Sequence, residues 1–159
     1  MTNMMKTRVA ITIILLALFM VCSCKMEPKL SDEEYTVARV GIRTESQIAN
    51  NFNKNGSYSG VYQTSTGNGT VYYNYNNATA IVDCSDLGLG TISVRLTGQV
   101  RCTFPDYPSM YPNIYTYNIS YTYSGKSHTL EYEVKYTGAS SSEITRLKVD
   151  GIMSKGLMD

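Results

Sequence analysis

The stretch Ile114-Tyr-Thr-Tyr-Asn-Ile-Ser-Tyr-Thr-Tyr-Ser-Gly-Lys-Ser-His-Thr-Leu-Glu-Tyr-Glu-Val-Lys-Tyr-Thr137 decides the fold, because apolar and polar residues alternate on both sides of a Gly-containing break. One side reads Tyr115, Tyr117, Ile119, Tyr121 and Tyr123; beyond the break it reads Leu130, Tyr132, Val134 and Tyr136, now at even positions. Successive side chains of a strand point to opposite faces, so a switch from odd to even is what a two-residue hairpin loop produces. A type II′ turn with Gly125-Lys126 at its centre pairs 121 with 130, 119 with 132, 117 with 134 and 115 with 136. Thr116, Asn118, Ser120, Thr122, Glu131, Glu133 and Lys135 then form a wet opposite face.

The same test extends outward. Val71, Tyr73 and Tyr75 followed by Ala78, Ala80 and Val82 show the same parity switch, which predicts a hairpin turning at Asn76-Asn77, where Asn tolerates the positive φ of a type I′ turn. Thr91 to Phe104 alternates without a switch, with Ile92, Val94, Leu96, Gly98, Val100, Cys102 and Phe104 on one side. It reads as one long strand bent at Gly98. Upstream, strands are expected at Tyr35 to Ile42 and Tyr58 to Thr64, and a helix near Glu45 to Asn53 on the strength of a Thr44/Gln47 capping box. Ser31 and Glu34 form a second capping box that offers a helix over 32–40 instead. A last strand falls at Glu143 to Asp150. The sum is an all-β fold, a single antiparallel meander closing as a β-barrel or a β-sandwich, with about eight strands and one short helix near the N-terminus.

Composition agrees. The chain has 14 tyrosines and no tryptophan among its 159 residues, and every tyrosine lies after Cys24. A leader over residues 1–23 would take Lys6 and Arg8 with it and no acid, lowering the 14 basic side chains to 12 against 13 acidic, a net charge of −1. That balance leaves no electrostatic footprint for nucleic acid.

The N-terminus carries an address. Lys6 and Arg8 precede an apolar run from Val9 to Val21 that is shorter than the roughly 20 residues of a spanning helix, the pattern of an export signal. Val21-Cys22-Ser23-Cys24 resembles the lipobox of bacterial lipoproteins. In that family the cysteine takes a diacylglyceryl group and becomes the first residue after cleavage, which implies lipidation at Cys24. Two or three acyl chains, at about 0.8 kcal/mol per buried methylene, would hold the protein stably on a membrane. Lys25 in place of Asp resembles lipoproteins sorted to the outer membrane, and Asp32 to Glu34 resemble surface-export signals. The division is a signal peptide over 1–23, a lipidated Cys and tether over 24–34 and a β domain over 35–159.

Chemistry is sparse. His128, the one histidine, falls beside the expected turn and reads as a solvated hairpin residue. Glu131 and Glu133 share a face with Lys135, a charged row in solvent. Asp83-Cys-Ser-Asp-Leu-Gly-Leu-Gly90 matches neither a calcium nor a phosphate loop and reads as a strand connection. Cys84 and Cys102 are candidates for a disulfide, against two buried thiols; a simple meander sets them farther apart than the roughly 5.5 Å between Cα atoms that a bridge needs. With one histidine and two cysteines no metal site is expected, nor any cofactor. Phe104 to Pro112 holds three of the four prolines, and its Tyr107, Met110 and Tyr111 are the candidate contact residues, since a stiff aromatic loop gives contact area at low entropic cost. The expectation is a non-catalytic envelope lipoprotein, anchored to the membrane by its N-terminal lipid, that binds an envelope protein, a glycan or a small apolar ligand. A structural accessory subunit and a carrier with a barrel cavity are the alternatives.

Overall fold

The structure, a computed structural model, describes residues 29–66, 68–103, 114–138 and 141–154. A helix, α1 (Asp32–Asn55), precedes seven strands: β1 (Val61–Thr66), β2 (Thr70–Cys84), β3 (Gly90–Thr103), β4 (Ile114–Tyr123), β5 (Lys126–Gly138), β6 (Ser141–Val149) and β7 (Ile152–Ser154). All pair antiparallel with their sequence neighbours, so spatial order is chain order. The expected antiparallel meander with one helix is thus present. Its sheet stays open, with β1 and β7 as edges, and α1 rather than a second sheet covers the inner face.

The helix is the first correction, because the expected strand at Tyr35 to Ile42 is its first half. Ser31 caps it: the hydroxyl accepts from Glu34 N at 3.2 Å, and the Glu34 carboxylate accepts from Ser31 N at 2.7 Å. Asp32, Glu33 and Glu34 place negative charge against the positive end of the helix dipole, and Gly56 ends it in the left-handed conformation at φ 67°. The buried stripe Val37, Val40, Gly41, Thr44, Glu45 and Ile48 recurs every three or four residues, a helical period that outweighs the β propensity of its valines. Thr44, expected as a cap, is buried in mid-helix, where its hydroxyl donates to the Val40 carbonyl at 2.8 Å. The helix also begins at Asp32, inside the segment read as tether.

The second correction is β2, one strand of 15 residues and not a hairpin. Tyr75 pairs with Gly98 and Ala78 with Leu96, so three steps on β2 match two on β3. One extra residue in a bulge flips parity as a two-residue turn does, which is why the alternation could not tell them apart. Asn77 does take the expected positive φ, at 54°. β3 runs unbroken through Gly98, as expected. A side chain there would meet the backbone of β4, since a Cβ would sit 2.7 Å from Ile119 Cα.

The β4–β5 hairpin forms, but it turns at Ser124-Gly125, with φ of 50° and 75°, one residue earlier than expected. Both loops conserve parity, so the inner and outer faces are as read while each partner moves by two. Tyr117 therefore opposes Tyr132, the rings stacked 3.9 Å apart at 5°, and Tyr121 opposes His128. Beyond Val149 the pair Asp150-Gly151, both at positive φ, turns the chain into β7. The strand count is seven because one expected strand is helical, two fuse into β2, and β7 is added.

The core lies between α1 and the inner face of the sheet, where Ala78, Ala80, Val94, Leu96, Ile119, Leu130, Leu147 and Val149 are buried with Val40 and Ile48. Gly41 lets the helix approach: the Tyr121 ring fills the space a side chain would take, and the Tyr121 hydroxyl donates to the Val37 carbonyl. The outer face is polar. Asn74, Gln99, Asn118, Glu131 and Lys148 are successive partners across five strands, tied by Gln99 Nε2 to Asn74 Oδ1 at 2.7 Å and Lys148 Nζ to Glu131 Oε1 at 2.8 Å.

Candidate functional site

The bulge in β2 builds the site. On one side of it the inner face carries Ala80 and Ala78, small enough for α1 to sit close; on the other it carries Tyr75 and Tyr73. Across the sheet this wider end continues with Val100 on β3, Tyr115 and Tyr117 on β4 and Tyr136 on β5. The C-terminal half of α1 stands over it with Glu45, Ala49 and Phe52. Between the two layers lies a cleft of about 330 Å³, close to the lower end of the range for small-molecule sites.

Its walls are aromatic. Phe52 meets Tyr73 edge to face at 5.8 Å and 82°, Tyr115 lies 6.3 Å from Tyr117 and 5.4 Å from Tyr136, and the Tyr117–Tyr132 stack backs the sheet side. Tyr136, 43 % exposed, stands at the rim, and Ser46, Asn50 and Asn53 supply polar groups at the mouth.

At the foot of the cleft is Glu45, only 5 % exposed. The Tyr75 hydroxyl donates to its Oε1 at 2.8 Å, and among the described residues that is the one hydrogen bond its carboxyl makes. Burial pushes the carboxyl up to about 7, against the pull of the Tyr75 hydrogen bond. Burial likewise raises the hydroxyls of Tyr75, Tyr115 and Tyr117, and it takes the Cys102 thiol to about 12, with the nearby Glu45 charge adding to each. These groups stay neutral in water near pH 7, so Glu45 is the cleft group that changes charge there. None of the described residues lining the cleft is Lys, Arg or His.

A second recess of about 380 Å³ lies at the start of α1, lined by Asp32, Thr36, Tyr123, Lys126 and His128 among others. His128 corrects the expectation of a solvated residue: it is 6 % exposed, on the inner face opposite Tyr121, where the earlier turn sets it one pair further from the loop. Its Nδ1 lies 2.8 Å from Asp150 Oδ2, while Asp150 Oδ1 accepts from Thr129 N at 2.7 Å. Burial works to raise the Asp150 carboxyl, but these hydrogen bonds prevail and hold it below the usual carboxylate range. The imidazole thus pins the β6–β7 turn onto β5.

The other sequence candidates resolve in place. Glu131 and Glu133 do lie on the outer face, engaged by Lys148, Arg146 and Thr145. The segment from Asp83 to Gly90 is a strand connection with a short 3-10 turn (Ser85–Leu87), clamped by Arg43, whose two terminal nitrogens bind the Asp86 carboxylate at 2.5 and 2.6 Å. Cys84 and Cys102 are buried free thiols and not a disulfide. Cys84 pairs with Gly90, whereas Cys102 pairs with Val71 at the opposite end of β2. Cys24, Tyr107, Met110 and Tyr111 lie outside the described residues. The segment holding the last three joins Thr103 to Ile114, which pair at the sheet end that carries Tyr115.

Sequence reasoning missed Glu45, Phe52 and the cleft tyrosines as a site. The available signal was an acid on the apolar stripe of a helix; it was hidden because the segment around it was split between a strand and a shorter helix. Among the described residues no helix is long and apolar enough to cross a membrane, and no three His, Cys, Asp or Glu side chains are grouped to hold a metal ion. Comparison with protein-family models found no match, and searches of the curated proteins and of the solved structures found none either.

Proposed function

We propose that this chain is a lipid-anchored bacterial envelope protein whose folded domain is a non-catalytic binding module, with the tyrosine-walled cleft as its ligand site. The observation that carries the reading is the cleft itself: a buried carboxyl at the foot of an open aromatic recess. A protein interior ordinarily excludes an acid without a charged partner, so keeping Glu45 there points to a use. Rigid tyrosine rings present large contact area with little side-chain entropy to lose. Binding fits better than catalysis, because among the described residues the cleft brings together one titrating group and several neutral hydroxyls, with no neighbouring Lys or His to activate a nucleophile. The envelope address rests on the export-type leader and the lipobox-like Val21-Cys22-Ser23-Cys24.

The test is a titration of the detergent-solubilised full chain with a library of small polar and apolar fragments, followed through the tyrosine ring resonances. Binders should move the signals of Tyr73, Tyr115 and Tyr117 and leave Tyr121, sealed under Gly41, in place. Fragments that perturb only outer-face residues, or an inert cleft, would sink the reading.

A further inference from the structure

We propose that the cleft takes the cationic head of a small organic ammonium compound, with Glu45 as its counter-ion and the tyrosine rings as its walls. This rests on the reading of the cleft as a ligand site and adds the chemical class.

The first argument is charge. Glu45 occupies the stripe of α1 that otherwise buries Val40, Thr44 and Ile48, and its only hydrogen bond among the described residues comes from the neutral Tyr75 hydroxyl. The groups that feel its charge from the sheet are Tyr75 on β2, Cys102 on β3, Tyr115 and Tyr117 on β4 and Tyr132 on β5, all acids that burial holds neutral. Among the described residues no basic side chain lines the recess. An ionised Glu45 is therefore short of one positive charge, and a cationic ligand supplies it. An anionic ligand would meet the carboxylate instead.

The second argument is the walls. The face of an aromatic ring carries negative quadrupole density, and a cation within about 6 Å of a ring centroid is attracted to it, more strongly where water is excluded. Phe52, Tyr73, Tyr115, Tyr117 and Tyr136 surround one small volume with such rings. An alkylated ammonium group is weakly hydrated and apolar at its surface, so it loses little on leaving water and meets both the rings and the carboxylate. A neutral ligand would gain the rings but leave the carboxylate with the Tyr75 hydrogen bond and no counter-charge. Because the cation favours the charged carboxylate, binding should tighten as pH rises through neutrality, Glu45 being the cleft group that loses its proton there.

The experiment compares choline with its uncharged carbon isostere, 3,3-dimethylbutan-1-ol, on the detergent-solubilised full chain and on Glu45→Gln, by calorimetry and tyrosine-ring shifts. Gln keeps an oxygen to accept from Tyr75 and removes only the charge. We expect choline to bind about tenfold or more tighter than the isostere, and Glu45→Gln to remove most of that preference, leaving the smaller part that the rings supply. If the isostere binds equally well, the cation is wrong and the binding cleft stands; if the preference survives undiminished in Glu45→Gln, Glu45 is not the counter-ion and the proposal falls while the binding cleft stands. If neither probe shifts the cleft tyrosines, both this inference and the ligand-site reading fall.

Discussion

Between mildly acid and neutral pH, a buried carboxyl shapes how the stability of this domain responds. Glu45 titrates near 7 in the folded chain against an ordinary value of 4.5, raised by burial. At low pH both folded and unfolded chains hold the proton. As pH rises past 4.5 the unfolded chain releases it first and gains free energy, so folding stability falls until pH passes about 7 and is level above. The gap corresponds to about 3 kcal/mol. Urea midpoints should therefore drop between pH 5 and pH 8 in the wild type and change much less in Glu45→Gln; equal slopes in both proteins would show that the carboxyl is not buried. Gly41 makes a different balance at the same scale. Alanine there gains about 1 kcal/mol of helix propensity, but its Cβ would fall 2.6 Å from Tyr121 Cε1. The ring cannot swing away, being buried and held by the Val37 carbonyl, so overpacking of about 1–3 kcal/mol wins. Gly41→Ala should lower the urea midpoint, and a rise would mean that Tyr121 has room to move.

The elements show what alternation can and cannot reveal. It identified the inner face of every strand correctly in β3, β4 and β5, because burial on one side of a sheet imposes period 2. It could not separate a bulge from a turn in β2, nor a turn at 124–125 from one at 125–126, since each alternative preserves the same faces. Those choices are made by tertiary contact: Tyr117 stacking on Tyr132 fixes the hairpin register, and β3 offers Gly98 and Leu96 as partners for a continuous β2. The helix was legible in its second half, Glu45 to Asn53, and in its cap at Ser31, but its first half also read as a strand, because its valines favour strands until the sheet gives their stripe something to cover. The bulge carries a prediction. Asn77 holds φ at 54°, which Gly adopts freely and a β-branched residue resists. Asn77→Gly should leave stability within about 0.5 kcal/mol, and Asn77→Val should cost about 2 kcal/mol. Because the bulge sets Tyr73 and Tyr75 in phase with the cleft, Val should also disturb their ring resonances; an undisturbed cleft in a destabilised Asn77→Val would mean that the bulge serves the strand alone.

At the scale of the whole molecule, the proposed anchor precedes the start of α1 in the chain, whereas the cleft lies under the second half of the helix. With Cys24 acylated, residues 25–31 are all that separate the lipid from the first turn of α1, a reach of at most roughly 25 Å when fully extended. Glu45 lies 13 residues further along the helix from Asp32, roughly 20 Å away at 1.5 Å per residue. Under the proposed anchoring, the tether would hold the start of α1 near the bilayer while the proposed ligand site stands at the helix's other half. Such a layout makes anchoring and binding independent. Replacing Cys24 with Ala should move the protein from the membrane to the soluble fraction, and its intact mass should lose the acyl chains found on a wild-type chain beginning at residue 24. The tyrosine-ring response to choline should be the same in the released protein as in the anchored one. A Cys24→Ala protein that stays on membranes through a high-salt wash would remove the lipobox reading and leave the cleft untouched. A released protein that no longer responds to choline would show instead that the membrane completes the site.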